Sequence, residues 1–412
     1  MPVQAMKTAD PELMRAINRF HVLDVVRRYG PISRVEIVQR TELAPATISA
    51  ITGGLIEENL VLARAVEGVG TAARGRPRVM LELNREAAYV CGVKLAPHQI
   101  SIAVTDYMAD VVRTLSLPIR VARQAPEVVA DILEDGIRRC VGDADLALDR
   151  LGGIGIGLPG FIDGRAGLCV WTPILGAPDV PLAEMVRQRL GVRTVVENDV
   201  HLVTLAEHWF GHGRDSDSFA VVAVEDSVGL GLFLNGDVHR GAAGMGTEFG
   251  HTKYAPDDGL PCRCGQRGCI DAYVSDHGIV TRARALLGAE AGAITPDDPR
   301  AIGRLRDMAR AGRAEIRALF EQAGAILGFA VGNLITLHSP PKVIVAGSAI
   351  QARDLMEPAL LAAIERVVPV PLRRGTEIIL HEWSDDAWAR GAASLVLRQL
   401  YEAPWNGQGM PR

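Results

Sequence analysis

Four residues between positions 251 and 269 have the types and the spacing of a metal site. His251 is followed after ten residues by Cys262, and then by Cys264 and Cys269. One imidazole and three thiolates complete a tetrahedral zinc shell. Because all four ligands come from the protein and leave no place for water, the pattern predicts a structural zinc rather than a hydrolytic one. Three free thiols without a metal, or a redox-active cluster, are the alternatives.

A second group of polar residues could bind a hydroxyl group or accept its proton. Asn198 and Asp199 follow a predicted strand at 194–196, and Glu248 lies three residues before His251. A carboxylate beyond the end of a buried strand can accept a proton from a substrate hydroxyl or simply bind that hydroxyl. The metal would fix the loop that carries Glu248. The alternative is structural, because an Asn-Asp pair also occurs at turns and helix caps.

The elements that precede these residues begin with three predicted short helices. Apolar residues recur at helical spacing through 16–29. Ser33 and Glu36 form a capping box that starts a second helix, which ends near Arg40. Pro45 then occupies a position suited to the first residue of a third helix. Three short helices with a tight turn between the second and third predict a helix-turn-helix.

A hairpin is predicted directly after the third helix. Two β-favouring segments, 60–66 and 79–83, enclose a tip rich in glycine and arginine. A hairpin in this place is the wing of a winged helix-turn-helix, so residues 1–84 are predicted to bind DNA. A three-helix bundle that merely carries a hairpin is the structural alternative.

The predicted recognition helix has unusual chemistry. Its predicted outward positions are Ala46, Thr47, Ser49, Ala50 and Thr52. Without Arg, Lys, Asn or Gln they cannot read a base through two hydrogen bonds. Hydroxyl bonds to phosphate and methyl contacts with thymine remain, and the residues predicted to contact DNA here are Ser33, Pro45, Ala46, Thr47, Ser49 and Ala50.

The wing supplies the positive charge that the helix lacks. Guanidinium groups at its tip can enter a narrow, A/T-rich minor groove, while glycine permits a close approach. A solvated basic loop is the alternative. The residues predicted to contact DNA from the wing are Arg74, Gly75, Arg76 and Arg78.

The remaining residues, 85–412, alternate between strand-like and helix-like segments. Continuous apolar runs such as 151–158 indicate buried strands, and 126–141 and 182–190 have helical periodicity. Such alternation predicts an α/β fold with helices layered on mixed sheets.

Taken together, the motifs resemble the ROK family of repressors, open reading frames and sugar kinases. The motifs are Gly157-Leu158-Pro159-Gly160, Glu197-Asn198-Asp199, Glu248-x-Gly250-His251, Cys262-x-Cys264-Gly265-x-x-Gly268-Cys269 and Ala389-Arg390-Gly391-Ala392-Ala393. The resemblance covers nearly the whole chain, and within the family a helix-turn-helix belongs to the repressor branch. It implies a two-lobed, actin-like (ribonuclease H-like) fold that binds a sugar in the cleft between its lobes.

The resemblance also implies a domain division and a set of ligand residues. The DNA-binding domain would cover 1–84, the first lobe 85–196 with 386–412, and the second lobe 197–385. The family usually has Glu where this chain has Asp271, which is one methylene shorter, so its contact with sugar would be lost or mediated by water. The residues implied to bind the sugar are Gly160, Asn198, Asp199, Glu248, His251 and Asp271.

One departure from the family pattern concerns catalysis. The ROK kinases share a phosphate loop of the form Asp-x-Gly-Gly-Thr, and the corresponding stretch here is Val93-Lys94-Leu95-Ala96-Pro97-His98. The metal-binding carboxylate and the glycines that let amides approach phosphate are absent. We therefore predict a sugar-responsive regulator, most simply a repressor, and no enzyme. An ATP-dependent sugar kinase with an accessory domain and a sugar sensor acting through a protein partner are the alternatives.

Composition sets the remaining expectations. The chain has 412 residues, 48% of them apolar and 23% charged, which is typical of globular proteins. Net charge is −5; residues 1–84 hold 11 basic against 9 acidic residues, and the remainder holds 33 against 40. The scattered Cys91, Cys140 and Cys169 suit a reducing cytosol, and the apolar run 323–341 is predicted to be a buried helix. The expected partners of this cytoplasmic, membrane-free homodimer or homotetramer are a palindromic A/T-rich operator and a sugar or sugar phosphate.

Overall fold

The N-terminal unit consists of three helices and a small sheet. The computed structural model describes residues 11–66, 78–118, 123–242, 244–292, 294–383 and 385–401. The helices of the unit are α1 Pro11–Tyr29, α2 Arg34–Thr41 and α3 Pro45–Glu57. Its strands are β1 Ile32–Ser33, β2 Val61–Val66 and β3 Arg78–Leu83, in the order β1-β3-β2. The three helices and the hairpin strands β2 and β3 match the predicted ones, except that α1 begins at Pro11 rather than near residue 16; the short strand β1 was not predicted.

Local signals start and stop these helices. The Ser33 side chain accepts a hydrogen bond from the Glu36 amide, and the Glu36 carboxylate accepts one from the Ser33 amide at 3.0 Å. Pro45 is the first residue of α3. The prediction that Thr52 faces outward is wrong. Thr52 is fully buried. Its hydroxyl donates to the Ile48 carbonyl at 2.8 Å and accepts from Arg34 Nε at 2.9 Å.

Residues 89–210 build the first of two five-stranded sheets and its helices. Their strands are β4 Tyr89–Ala96, β5 Gln99–Thr105, β6 Val111–Leu117, β7 Leu151–Leu158, β8 Phe161–Asp163, β9 Leu168–Trp171 and β10 Thr194–Asn198. The sheet has the order β10-β7-β4-β5-β6, in which β10, β7 and β4 are parallel, and β8 and β9 form a separate ribbon. The helices are α4 Pro126–Gly142, α5 Leu182–Leu190 and α6 Asp199–Phe210. The predicted domain division at residue 197 lies within β10.

Residues 219–381 build the second sheet. Its strands are β11 Phe219–Val224, β12 Val228–Leu234, β13 Asp237–His239, β14 Lys342–Ala346 and β15 Glu377–His381, in the order β13-β12-β11-β14-β15. Strands β11, β14 and β15 are parallel. The helices from here to residue 401 are α7 Asp271–Val274, α8 Asp276–Leu287, α9 Ala301–Arg310, α10 Ala314–His338, α11 Arg353–Val367, α12 Val370–Arg374 and α13 Asp385–Tyr401.

Helix α10 is the predicted long apolar helix. Among the described residues it alone is long and apolar enough to cross a membrane, but 61% of its most apolar window is buried inside the protein. It packs along α11, with Phe320, Leu327 and Val331 in the core. Its apolar side chains therefore belong to the hydrophobic core beside the second sheet.

Helix α6 lies between the two sheets and is buried from Val200 to Trp209. On one side, Leu202 occupies the space where Gly157 of β7 has no side chain. On the other, α6 packs against β12, and α13 closes over it with Gly391 against the Leu202 carbonyl. Any rearrangement of the two sheets therefore involves this helix.

Candidate functional site

A cleft of about 770 Å³ opens between the two sheets, where their parallel strands end. The carboxyl ends of β4, β7 and β10 border it from one side, and those of β11 and the start of β12 from the other. Ligands of open α/β sheets bind at such strand ends. All six residues implied as sugar ligands line this cleft: Gly160, Asn198, Asp199, Glu248, His251 and Asp271.

Asn198 connects the ends of β7 and β10. Its side-chain nitrogen donates to the Gly160 carbonyl at 3.1 Å, and its side-chain oxygen accepts from the Val200 amide at 2.9 Å, capping α6. Gly160 has φ of +122°, and a Cβ there would lie 2.2 Å from the Trp171 carbonyl oxygen. Glycine is thus required by both conformation and space at this turn.

Asp199 and Glu248 are two of the carboxylates that line the cleft. Part of the Asp199 side chain is open to the cleft, and the protein around the rest desolvates it and raises its pKa to about 6, against the opposing charge of Lys94. Burial, together with the negative charge of Asp199, raises the pKa of Glu248 to about 7. Two close carboxyl groups with raised pKa values can both donate and accept hydrogen bonds, as binding to hydroxyl groups requires.

A buried ion-pair network holds the segment that precedes Glu248. Glu197 accepts from Arg240 Nε at 2.6 Å and lies 3.0 Å from His201 Nδ1. The other ring nitrogen of His201 lies 3.2 Å from the Thr247 hydroxyl. Burial opposes ionisation of Glu197, but its contacts with His201 and Arg240 lower its pKa to about 2. The network thereby links β10 and α6 to the loop of Glu248.

The four residues predicted as metal ligands converge. His251 Nδ1 lies 3.7 Å from Cys262 Sγ, Cys264 Sγ lies 3.8 Å from Cys269 Sγ, and the four ligand atoms are all within 4.8 Å of one another. Thiolates bonded to one zinc ion at ~2.3 Å in a tetrahedron lie about 3.8 Å apart. The cluster could therefore hold a metal ion, and Lys253 Nζ supports it with a hydrogen bond of 3.0 Å to Cys269 Sγ.

Asp271 lines the cleft, but its carboxylate also contacts neighbouring residues of the protein. One carboxylate oxygen accepts from the Val228 amide at 2.9 Å, and the other lies 3.9 Å from both Cys262 Sγ and Arg263 Nη2. Burial raises its pKa. The Asp271 side chain, which is shorter than the usual Glu, thus connects the start of β12 to the cysteine cluster.

Lys94 bridges the cleft from the first sheet to the second. Its ammonium lies 2.9 Å from the Glu225 carboxylate and 3.8 Å from the centre of the Trp388 ring. The sequence indicated only that Lys94 lies in the stretch 93–98, which lacks the carboxylate and the glycines of a phosphate loop. That this lysine would pair with Glu225, 131 residues further on, had no signal in the sequence.

The C-terminal end of α6 contacts the N-terminal unit. Arg27 of α1 lies over the Trp209 ring at 4.4 Å and donates to the Trp209 carbonyl at 3.4 Å. Arg28 Nη2 lies 3.3 Å from His208 Nε2. Tyr401 of α13 stacks on Trp209 with ring centres 5.4 Å apart. These contacts were also missed, because the sequence does not reveal which domain faces contact each other.

The predicted DNA contacts fall into three groups. Pro45, Ala46, Ser49 and Ala50 are exposed on α3, and Thr47 is half-buried. Ser33 is buried, because its hydroxyl caps α2. Arg74, Gly75 and Arg76 lie outside the described residues, and of Arg78 only the backbone, in β3, is described.

The sequence model of the ROK family matches residues 90–399. The chain belongs to the ROK family. This ROK protein is 26% identical over 400 residues to the putative xylose repressor of Caldicellulosiruptor sp. strain Rt8B.4, covering 95% of this chain and 98% of that protein. It is 27% identical to the DNA-binding transcriptional dual regulator NagC of Escherichia coli K12, covering 94% of both chains.

Solved structures agree with this membership. A ROK family transcriptional regulator, a homologue of the E. coli MLC protein, covers 95% of this chain with a TM-score of 0.80 and 25% identity, and 98% of that chain is matched. A ROK family glucokinase from Streptomyces griseus, solved with glucose and AMPPNP, covers 75% of this chain and 99% of its own with a TM-score of 0.64 and 25% identity. The MLC homologue thus covers 95% of this ROK chain, whereas the glucokinase covers 75%.

Proposed function

We propose that this chain is a sugar-responsive DNA-binding transcriptional regulator, most simply a repressor of genes for carbohydrate uptake or catabolism. One observation carries the proposal: helix α6 begins with Asp199 in the cleft, and Trp209 in its last turn contacts α1 of the N-terminal unit. At 1.5 Å per residue the helix is about 18 Å long. A single buried element therefore connects the ligand site with the proposed DNA-binding head, and the full-length similarity to proteins named as repressors supports the same role.

The N-terminal unit acts in this proposal as a winged helix-turn-helix. Exposed small side chains on α3 allow the helix backbone to come close to the groove, and the wing arginines enter an A/T-rich minor groove. A two-fold symmetric dimer or tetramer would present two heads to a palindromic operator, with half-sites one helical turn or a multiple apart. The residues proposed to contact DNA are Pro45, Ala46, Thr47, Ser49, Ala50, Arg74, Gly75, Arg76 and Arg78, while Ser33 caps α2.

The sugar is proposed to bind through its hydroxyl groups to the end of the cleft lined by Asn198, Asp199 and Glu248. Asp199 and Glu248 would form hydrogen bonds with the sugar hydroxyl groups. The Asn198 amide and the Gly160 backbone would lie beside these two carboxyl groups. Asp271 would not contact the sugar directly, or would contact it through water. His251 can serve both sites, because its Nδ1 faces Cys262 and its second nitrogen remains for a hydroxyl. A ligand shifts the regulator only by its different affinity for two states, and a ~100-fold preference supplies ~2.7 kcal/mol.

The metal is proposed to be a structural zinc. The donor set of three thiolates and one imidazole, together with the 3.7 and 3.8 Å separations, fits a closed tetrahedral shell. When bound, zinc would cross-link the loops that carry its ligands and would take no part in catalysis. His251, Cys262, Cys264 and Cys269 would hold it and thereby fix Glu248 and Asp271 at the cleft.

An ATP-dependent sugar kinase is the second candidate, favoured by the Asp199 carboxyl on the cleft lining and by the likeness to a glucokinase. The Lys94–Glu225 ion pair argues against it, because it lies where the family's phosphate loop would need a metal-binding carboxylate. An assay of ADP release with a panel of hexoses separates the two. Turnover well above background would overturn the non-enzymatic assignment.

We propose the domain division 1–84, 85–196 with 386–412, and 197–385. A regulator that binds operator DNA acts in the cytoplasm of a bacterial cell, so we also propose that location. A homodimer or homotetramer follows from the palindromic operator that the proposal expects.

The test begins with selection of genomic DNA fragments on the purified full-length protein, followed by anisotropy titrations of the selected site with a sugar panel. We expect a palindromic site whose affinity falls at least tenfold with one sugar. Asp199→Asn should abolish that response and keep the DNA affinity, whereas Arg74→Ala with Arg76→Ala should lower the DNA affinity. Binding without sequence preference would contradict the proposal.

The connection through α6 has its own test. Trp209→Phe, which weakens the Arg27 contact, should leave sugar and DNA affinities within a few fold while reducing the factor by which sugar changes DNA binding. Arg138→Ala removes an exposed ion pair with Glu134 on α4 and is the matched control. An unchanged coupling factor in Trp209→Phe would exclude α6 as the connection.

A further inference from the structure

An aromatic surface lies on the cleft wall beside the proposed sugar site. Trp171, the last residue of β9, is 42% exposed and lines the cleft. The Phe161 ring lies 5.8 Å from it at an angle of 46°, and Pro159, Pro173 and Pro178 also line this side. Apolar surface that stays grouped and exposed at a cleft is commonly covered by a ligand.

The backbone holds this surface against the hydroxyl-binding residues. The Trp171 carbonyl oxygen packs so closely on Gly160 that no side chain fits there. The carbonyl of Gly160 in turn accepts the hydrogen bond from Asn198 at 3.1 Å. The turn at Gly160 therefore lies between Trp171 and Asn198 of the proposed sugar site, and it contacts both residues.

The cleft is larger than one sugar needs. Even at the ~30 Å³ that each water molecule takes in the liquid, the atoms of one hexose fill at most about 360 Å³. The cleft has about 770 Å³. About half of it thus remains once a single ring occupies the end formed by Asn198, Asp199 and Glu248.

From the volume and the aromatic wall we infer that the effector is a disaccharide or longer saccharide. One ring binds through its hydroxyls to the polar end, and the next ring places its C–H face on Trp171. The negative face of an aromatic ring attracts the partly positive C–H hydrogens of a pyranose, and the contact also removes apolar area from water. This inference rests on the proposed function, since it assumes that the polar end binds sugar.

The carboxyl groups at the polar end favour such a neutral ligand over a sugar phosphate. Asp199, Glu248 and Glu225 all line the cleft, and Lys94 is already paired with Glu225. A phosphate placed there would meet carboxylates, whereas a glycosidic second ring adds hydroxyls and C–H groups only. Arg123 and Arg263 also line the cleft and could bind a phosphate, so the experiment includes phosphorylated monosaccharides.

The experiment uses calorimetric titration of the full-length protein with named sugars. The probes are glucose, N-acetylglucosamine and xylose, their disaccharides cellobiose, maltose, diacetylchitobiose and xylobiose, and glucose 6-phosphate with N-acetylglucosamine 6-phosphate. We expect at least one disaccharide to bind tenfold or more tightly than the monosaccharide it contains. Trp171→Ala should lower the affinity for that disaccharide about tenfold and change the monosaccharide affinity less than threefold.

Two further variants keep the result interpretable. Trp171→Phe retains a ring and should recover most of the disaccharide affinity. Leu337→Ala removes an exposed apolar side chain that does not line the cleft and should change nothing. A monosaccharide or its phosphate that binds as tightly as every disaccharide containing it would overturn the inference and leave the proposed function standing. Equal losses for both ligand sizes in Trp171→Ala would do the same. Failure of every sugar to bind would overturn both.

Discussion

The Lys94 ammonium lies 2.9 Å from the Glu225 carboxylate and joins β4 of the first sheet to the end of β11 in the second. The Trp388 ring of α13 covers the ammonium at 3.8 Å. The side chains are 18% and 32% exposed, so the pair is only partly screened by water. A contact that spans the cleft in this way resists opening of the two sheets and leaves Asp199 facing a cation of the protein.

Breaking this ion pair should cost little stability and should alter ligand binding. In a double-mutant cycle of Lys94→Met and Glu225→Gln, we expect a coupling of about 0.5–1.5 kcal/mol in urea unfolding, because the pair is partly buried. The exposed Arg138–Glu134 pair is the control, with about 0.3–0.5 kcal/mol expected. Sugar affinity should change in both single variants. No coupling, together with unchanged sugar affinity, would show that the pair does not hold the cleft.

Gly160→Ala should destabilise the protein and abolish sugar binding. Its φ of +122° and the carbonyl oxygen 2.2 Å from a new Cβ require the Trp171 backbone to move. We expect a loss of roughly 2–4 kcal/mol in the free energy of unfolding. Gly191→Ala is the matched control, since it has φ of +70° with nothing within 4 Å and should cost only about 1 kcal/mol. Equal losses would mean that crowding at Gly160 is unimportant.

The contact between α1 and α6 should make stability depend on pH. Burial and the charges of Arg28 and Arg27 lower the pKa of His208 to about 4, with Asp24 opposing them. An unfolded histidine has a pKa of ~6.5 and binds its proton first as the pH falls, so stability is complete above that value and is lost between ~6.5 and 4. The loss is at most about 3 kcal/mol.

Thermal unfolding of His208→Gln across this pH range measures the effect. The variant should lose less stability than the wild type on going from pH 7 to pH 4.5, because glutamine takes up no proton. His338→Gln, on the exposed end of α10, should follow the wild-type curve. Parallel curves for His208→Gln and the wild type would contradict the assignment.

Loss of the metal should impair the sugar response before DNA binding. Cys264→Ser leaves a weaker shell, and the loops that carry Glu248 and Asp271 lose their cross-link. We expect zinc content to fall below one ion per chain and sugar affinity to fall at least tenfold, with DNA affinity within threefold. Gln266→Ala, an exposed side chain in the same loop, should keep metal and response. A full sugar response after verified zinc removal would reject this role.

The local elements could be predicted because their signals are local. The capping box at Ser33, Pro45 at the start of α3 and the apolar run of β7 each fix an element within a few residues. Thr52 was misplaced because a helix position shows its face only after the neighbouring helix is known. Arg34 of α2 covers its hydroxyl and makes that face interior.

The sequence by itself determined the α/β class, the family membership and the one histidine and three cysteines that form a cluster able to hold a metal ion, since these depend on residue type and short spacing. The tertiary structure decided which distant residues meet: Lys94 with Glu225, Trp171 with the turn at Gly160, and the end of α6 with α1. Such contacts arise from the packing of two sheets around one buried helix. A linear pattern carries no record of that packing, because many pairs of charged or aromatic residues fit the same sequence equally well.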